Sequence, residues 1–187
     1  PSPAEEDRPV VLYPRRLDVG RGIDEAKAAA RMVLARHPGV EFHFVGRGTN
    51  DEIEAEMARW AAENPGCRYY WVRMEEMPAV YRRATIVVIP TKSCEGTSLS
   101  CLEAMACGKV VICGRVGGLT DLVLDGYNGR LIAVTPEALA GAIEDLLLDP
   151  EKRRRLGERA RETALAFSLN AWKRRWARVF RAVWGED

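Results

Sequence analysis

Short apolar segments rich in valine and isoleucine alternate with longer amphipathic segments along the chain, from Val10 to Val134. The short segments predict buried strands, because they combine β-branched residues with flanking turn residues. The amphipathic segments predict helices, because their apolar residues recur at helical spacing. Such alternation predicts an α/β fold in which about six parallel strands form a doubly wound sheet. The predicted strands are 10–13, 41–45, 67–72, 85–90, 109–113 and 130–134.

The chain length limits the number of domains. A chain of 187 residues is long enough for one α/β domain with a sizeable core but too short for two. We expect residues 10–167 to form this domain and the charged, proline-containing residues 1–9 to be a tail or the remnant of an interdomain linker. The predicted helices are 23–37, 50–63, 75–83, 98–107, 120–124, 136–148, 151–167 and 168–184.

Charge and cysteine content argue against several classes of function. The 28 basic and 27 acidic residues nearly cancel, which argues against a general nucleic-acid-binding protein. Five cysteines and two histidines show no metal-ligand spacing, so no metal is expected. The cysteines are interpreted as reduced thiols, and no segment is typical of a signal peptide or of a transmembrane helix. These features together predict a cytoplasmic protein.

The segment 95–108 predicts a site for an anionic ligand. It follows the apolar strand 85–90 and begins with a loop that contains an acid, a glycine and small hydroxyl residues. A helix comes next, with Thr97 or Ser98 as its N-cap. A helix N-terminus at the carboxyl end of a parallel strand favours anions, because its unpaired N–H groups and the helix dipole both attract negative charge.

Two glutamates, Glu95 and Glu103, flank the start of this helix. Glu103 lies within an apolar helical sequence, where a carboxylate is costly to bury unless a partner donates hydrogen bonds to it. A vicinal diol such as that of a ribose would donate two such bonds, and Glu95 would contact the group that a bound phosphate carries. The alternative is that Glu103 lies at the helix rim in water and that Glu95 is an ordinary loop acid. The residues alone leave both interpretations open.

Three arginines follow the first predicted strand. Arg15, Arg16 and Arg21 are therefore expected at the carboxyl end of a strand, where open parallel sheets bind their ligands. Guanidinium groups suit a diphosphate, because each can form two hydrogen bonds with its oxygens. The alternative is that all three are solvated surface residues.

The spacing of the two glutamates resembles the signature of a known family. Glu95 and Glu103 are separated by seven residues and are followed by Ala-Met-Ala-Cys-Gly. This pattern resembles the Glu-x7-Glu motif of the group 1 glycosyltransferases, a family of retaining enzymes that includes bacterial glycogen synthases and phosphatidylinositol mannosyltransferases. Its members have two Rossmann-like domains, of which the C-terminal one binds most of the nucleotide-sugar donor. The resemblance extends over nearly the whole chain and implies the C-terminal half of an enzyme of this type, called GT-B.

The resemblance assigns the loop arginines to the donor diphosphate. In the family this loop has the pattern Gly-Arg-Leu-x-x-x-Lys-Gly, whose arginine and lysine hold the diphosphate. Arg16 and Arg21 match those two positions. They would act together with the amides of residues 98–100 on the charge of the leaving diphosphate. The chain departs from the pattern twice, because Arg15 replaces the glycine and Arg21 replaces the lysine.

The resemblance also implies how the rest of the donor is bound. Glu95 would join Arg16 and Arg21 as a catalytic residue by contacting hydroxyls of the donor sugar, and Glu103 would bind the ribose. The family motif has Phe-Gly where this chain has Thr97-Ser98. The full set of implied donor-binding residues is Gly46, Arg73, Met74, Gly96, Thr97, Ser98, Leu99, Ser100 and Glu103.

Two segments outside the motif are part of this assignment. Gly46 and Gly48 correspond to a tight turn near the donor; on their own they are a weak dinucleotide-binding signature, because Asp51 stands where a third glycine is required. Arg73 and Met74 would bind the nucleobase through their backbone. The alternative interpretation of Met74 is a residue that fills a gap in the core.

The expected ligands follow from the same family. The donor would be a UDP-, GDP- or ADP-sugar, with no metal or other cofactor. The acceptor site would lie in an N-terminal domain that the 187 residues do not contain. We therefore expect this segment to bind nucleotide but to transfer little or no sugar alone. The alternative is a non-catalytic interaction module that keeps the fold.

The residues 168–187 predict a basic amphipathic helix with an aromatic stripe. Trp172, Trp176, Phe180 and Trp184 recur at intervals of four, among five arginines and lysines. Such a helix can lie on an anionic membrane, which would make the protein peripheral to the inner membrane face. The alternative, which the family resemblance favours, is that the stripe packs on this sheet or on the N-terminal domain.

Overall fold

The computed structural model describes residues 8–185, so most of the predicted tail, residues 1–7, lies outside the described part of the chain. Six strands form one sheet, as predicted: β1 (Val10–Tyr13), β2 (Glu41–Val45), β3 (Cys67–Tyr70), β4 (Ile86–Ile89), β5 (Val110–Gly114) and β6 (Arg130–Ile132). All neighbouring strands are parallel, in the order β3-β2-β1-β4-β5-β6. The prediction of a doubly wound α/β fold is therefore confirmed.

The helices connect successive strands. They are α1 (Ile23–Arg36), α2 (Asp51–Glu63), α3 (Met77–Arg83), α4 (Leu99–Ala106), α5 (Leu119–Leu122), α6 (Pro136–Leu148), α7 (Pro150–Leu165) and α8 (Leu169–Trp184). Two short 3₁₀ turns, Val19–Arg21 and Met74–Glu76, precede α1 and α3. The predicted cap of the last helix is confirmed, because the Ser168 hydroxyl accepts a hydrogen bond from the Ala171 N–H.

Both faces of the sheet are covered by helices. One core cluster packs residues of α1, α2 and α6 against alternate residues of the strands, and a second packs α3, α4, α5 and α7 against the others. The central strand β4 is at most 1% exposed along its whole length. Full burial of such a valine or isoleucine side chain stabilises the fold by about 1.5–3 kcal/mol. This burial on two faces explains why the strands are continuously apolar.

The strand order places a crevice at the centre of the sheet. After β3 the chain returns from one edge to pair β4 with β1, with Val11 opposite Ile86 and Leu12 opposite Val87. The loops after β1 and β4 therefore leave the same edge of the sheet and diverge towards opposite faces. Ligands of open α/β sheets bind at such a switch point, outside the carboxyl ends of the strands.

Some predicted boundaries differ from the observed ones. β3 ends at Tyr70 rather than at residue 72, because its partner strand β2 ends at Val45 and the last bond between them joins the Gly46 N–H to the Tyr70 carbonyl. The predicted helix 75–83 is a 3₁₀ turn followed by α3.

The last helix differs most from expectation. No residue of α8 is buried, and the four aromatic side chains are 43–73% exposed. They stack on one another, with ring centroids 5.2–6.0 Å apart. The expected packing of the stripe on this domain's own sheet is therefore wrong for the residues that the structure describes.

Candidate functional site

A buried tyrosine at the end of β1 holds the loop that follows this strand. Tyr13 is the last residue of β1, and its hydroxyl lies 3.1 Å from the Arg16 carbonyl oxygen and 3.3 Å from that of Arg21. Burial raises the pKa of Tyr13 well above its usual range, so the phenol stays a neutral donor. The Leu17 N–H also donates to the carbonyl of Arg47. The loop is thus held to the end of β1 and to the turn after β2.

The loop after β4 carries Glu95 and lies against the loop after β1. The Glu95 side chain is only 9% exposed, and its Oε2 accepts hydrogen bonds from Arg15, from Arg21 at 2.7 Å and from the Thr91 hydroxyl at 3.2 Å. Glu95 Oε1 makes no hydrogen bond within residues 8–185. Glu95, a predicted site residue, thus lies at the centre of a buried ion cluster with two of the three loop arginines.

Arg15 is the site residue that the sequence analysis did not assign. Its side chain is 8% exposed, and besides Glu95 it donates to the hydroxyls of Ser98 at 3.0 Å and Ser100 at 2.7 Å. It joins the loop acid to the start of α4, more than eighty residues away in sequence. Its place after the first strand and the departure from the family's glycine were the sequence signals that pointed to it.

The other two loop arginines have different surroundings. Arg21 is partly exposed and reaches both Glu95 and the carbonyl oxygen of Cys94. The side chain of Arg16 is exposed and makes no hydrogen bond or ion pair with any other described residue. Of the predicted catalytic set, Glu95 and Arg21 are in contact, whereas Arg16 is free to bind a ligand at the same edge.

The start of α4 combines a buried N-cap with exposed neighbouring residues. Ser98 is its N-cap, yet its side chain makes no capping bond. Gly96, Thr97 and Leu99 are exposed, and a Cβ at Gly96 would meet no atom within 4 Å. Ser98 itself is buried, so the exposed surface at the start of this helix is formed by its neighbours.

Two glycines after β5 shape the loop that carries Glu95. The Gly118 N–H donates to the Glu95 carbonyl at 3.0 Å. Gly117 has a φ of +50°, and a Cβ there would lie 2.2 Å from the same oxygen. No side chain fits this contact, so glycine is required by both conformation and space.

Glu103 lies at the exposed surface of α4. This is the position at the helix rim that the alternative interpretation of the sequence gave it. Glu103 Oε2 accepts a hydrogen bond from the buried Tyr81 hydroxyl at 2.9 Å. Burial, together with the neighbouring Glu103 charge, raises the pKa of Tyr81 well above its usual range. The phenol therefore remains a donor that orients the carboxylate. Glu103 Oε1 has no partner in residues 8–185.

The remaining predicted residues lie at the same edge of the sheet, outside this cluster. Gly46 follows β2, where a Cβ would lie 2.1 Å from the Arg15 carbonyl oxygen, so it allows close packing of the two loops. Arg73 and Met74 follow β3; Arg73 pairs with Glu76, and Met74 is 80% exposed. The alternative interpretation of Met74 as a core residue is therefore wrong.

Neither a metal site nor a membrane span is found in the described residues. Within residues 8–185, no group of three or more histidine, cysteine, aspartate or glutamate side chains could hold a metal ion. Nor is any helix of that part long and apolar enough to cross a membrane. The hydrogen-bond donors at this edge are three guanidinium groups, hydroxyls and helix amides, which suit an anion rather than a cation.

The family model described as glycosyl transferases group 1 matches residues 1–163. The chain belongs to this family. The prediction from the Glu-x7-Glu spacing is confirmed at the level of the family, and the glycosyltransferase domain described here has the fold expected of it.

Curated relatives agree with this membership. The domain is 37% identical over 169 residues to a D-inositol 3-phosphate glycosyltransferase of Acidothermus cellulolyticus, covering 84% of this chain and 37% of the relative. It is 33% identical over 182 residues to a GDP-mannose-dependent alpha-(1-6)-phosphatidylinositol monomannoside mannosyltransferase of Mycolicibacterium smegmatis, covering 92% and 47%. The chain thus spans less than half the length of these two relatives.

Solved structures show the same fold. The sucrose-phosphate synthase of Thermosynechococcus elongatus superposes with a TM-score of 0.80 and 32% identity, over 95% of this chain and 46% of that one. Anabaena Alr3699/HepE in complex with UDP gives a TM-score of 0.83 at 22% identity, over 98% and 54%. The glycosyltransferase domain therefore corresponds to about half of each of these chains.

Proposed function

We propose that this chain is the donor-binding half of a retaining glycosyltransferase that takes a nucleoside diphosphate sugar. The observation that carries the proposal is the convergence of Glu95, Arg21 and the uncapped N-terminus of α4 at the crevice between β1 and β4. A diphosphate meets complementary charge there, and a sugar attached to it reaches the unpartnered oxygen of Glu95.

The charge balance of the site favours an anion. Arg15 and Arg21 share a single acidic partner, Glu95, so the cluster carries one excess positive charge, to which Arg16 adds another. The partial positive charge of the α4 N-terminus has the same sign. As the bond to the sugar breaks, negative charge grows on the leaving diphosphate. Fixed donors around it lower the barrier because they need no reorganisation during the reaction.

The two glutamates bind opposite ends of the donor in this proposal. Glu95 Oε1 accepts hydrogen bonds from hydroxyls of the sugar. The other oxygen, Oε2, is held by hydrogen bonds from Arg15, Arg21 and Thr91. Glu103 accepts hydrogen bonds from the ribose diol through Oε1, the oxygen that Tyr81 does not contact. The backbone of Arg73 and Met74 contacts the base. The names of similar proteins contain both UDP-glucose and GDP-mannose, so UDP, GDP and ADP are all tested below.

Thermal unfolding with each nucleotide tests donor binding. UDP, GDP, ADP and their sugar conjugates are added to the wild-type chain and to Glu103→Ala. A ligand at a hundredfold its dissociation constant stabilises the folded state by about 2.7 kcal/mol, so one nucleotide is expected to raise the midpoint and the variant to lose the rise. Glu63→Ala is the matched control, because this exposed glutamate ends α2 at the opposite edge of the sheet. A response to no nucleotide, or an equal response in both variants, contradicts the proposal.

Transfer requires more than this domain in the same proposal. The chain covers 37–54% of the relatives and structures described above, which supports an N-terminal partner domain that carries the acceptor site. The isolated chain is expected to bind donor without transferring its sugar. Sugar transfer by these 187 residues to any added acceptor would overturn this part. A β-linked product made from an α-linked donor by the chain together with its N-terminal domain would overturn retention.

A second candidate role involves α8. Its basic residues and exposed aromatic stripe, with no acidic residue between Leu169 and Trp184, support contact with an anionic membrane from the cytoplasmic side. The free thiols of all five cysteines suit such a reducing compartment. Sedimentation with vesicles of phosphatidylglycerol, against phosphatidylcholine as control, tests it. Binding that survives deletion of residues 168–187, or no binding to either vesicle, leaves the stripe as a surface for the partner domain.

A further inference from the structure

The N-cap of α4 differs from the polar N-caps of α2, α6, α7 and α8. Asp18 and Glu76, which precede the first 3₁₀ turn and α3, also make no side-chain capping bond. Asn50, Thr135, Asp149 and Ser168 each accept a hydrogen bond from the third residue of the helix that they precede. Ser98 occupies the same position and has the extended backbone of an N-cap, but its hydroxyl makes no such bond. Serine is among the residues that cap helices best, so something withdraws this hydroxyl.

Arg15 is the group that withdraws it. One terminal nitrogen of its guanidinium lies 3.0 Å from the Ser98 hydroxyl and 2.7 Å from the Ser100 hydroxyl, and the other donates to Glu95. As a result, the N–H groups of Ser100 and Cys101 keep no partner within residues 8–185. These are the two amides that an N-cap side chain ordinarily satisfies.

The position of the Arg15 charge at the N-terminus of α4 lowers stability unless a bound anion offsets it. A cation near a helix N-terminus opposes the helix dipole, and Glu95 offsets only one of the two arginines that it contacts. The N-cap of α4 is a serine, which leaves these amides open only if another group holds its hydroxyl.

We propose that Arg15 is a positioning residue for donor binding, which holds the Ser98 hydroxyl away from the N-terminus of α4 so that the donor diphosphate can bind the free amides. This inference rests on the proposed function. Arg15 is needed only while residue 98 is a serine, because a residue without a capping side chain leaves the amides of the helix N-terminus free.

Binding of UDP, GDP and ADP by isothermal titration tests the pair in a double-mutant cycle. In Arg15→Met, which keeps side-chain volume but no donor, Ser98 turns to cap the helix and competes with the phosphate. Ser98→Ala removes the hydroxyl that could cap the helix, so its affinity is the reference for the double variant. Adding Ser98→Ala to Arg15→Met is expected to restore affinity about fivefold, which is the worth of an N-cap expressed as a binding ratio. Equal affinities of Arg15→Met and the double variant overturn the inference.

A second measurement needs no ligand. Amide hydrogen exchange at Cys101 is expected to slow in Arg15→Met, because the Ser98 cap protects this N–H, and to return to the wild-type rate in the double variant. A merely structural role of Arg15 would speed exchange throughout α4 in both variants and would overturn the inference. If the wild type binds no nucleotide, the proposed function fails, while the exchange rates still decide whether Arg15 controls the cap.

Discussion

Replacing Glu95 with alanine tests whether the buried ion cluster holds this edge of the fold together. Glu95 is the only ion-pair partner of Arg15 in the described chain, and both side chains are more than 90% buried. Removing one partner of a buried pair leaves an uncompensated charge and costs about 3–5 kcal/mol. The loss at Arg21 adds little, because that side chain is 34% exposed and can be solvated.

We therefore expect Glu95→Ala to lower the free energy of unfolding by about 3 kcal/mol, or the melting temperature by about 6–12 °C. Urea unfolding followed by circular dichroism measures the free energy at unchanged slope. Glu151→Ala is the control, because its ion pair with Arg154 is 81% and 61% exposed, and it is expected to unfold like the wild type.

The double variant Arg15→Met/Glu95→Ala separates the charge from the packing. It removes both charges together, so it is expected to be more stable than Glu95→Ala alone. A loss below about 1 kcal/mol in Glu95→Ala would place the pair among exposed ion pairs. That result, or a double variant no more stable than the single one, would refute the reasoning from burial.

Two further predictions concern the loops and the pH dependence. Gly117→Ala is expected to weaken donor binding, because it displaces the Glu95 loop. The control Gly126→Ala is also at positive φ, but its Cβ would meet no atom within 4 Å, so it is expected to affect stability alone. Equal donor affinities of the two variants by titration calorimetry contradict this prediction. Burial lowers the pKa of His43 although Glu41 hydrogen-bonds to it, so protonation favours the unfolded state, and stability is expected to fall below about pH 6.5. His43→Gln is expected to flatten the urea-derived stability profile between pH 5 and 7 (roughly the His range), and a profile as steep as that of the wild type contradicts the assignment.

Local sequence determined the elements of this fold and the place of the site. The apolar runs form strands because a strand covered by helices on both faces keeps its side chains away from water. Polar residues such as Ser168 begin helices by accepting hydrogen bonds from free amides. The resemblance that predicted the family starts from the spacing of Glu95 and Glu103 and extends over nearly the whole chain. Parallel strands that alternate with helices then bring the loops after β1 and β4 to one edge.

The tertiary structure alone decided how the side chains at that edge are paired. Arg15 and Arg16 are neighbours in sequence, yet one is buried against Glu95 and the other faces solvent. Glu103 meets Tyr81 through the packing of α3 on α4, and the aromatic stripe of α8 stays uncovered. These outcomes depend on contacts between segments 22 to 85 residues apart. Local propensity carries no information about such contacts, because the direction of a loop side chain is set by whatever packs against it.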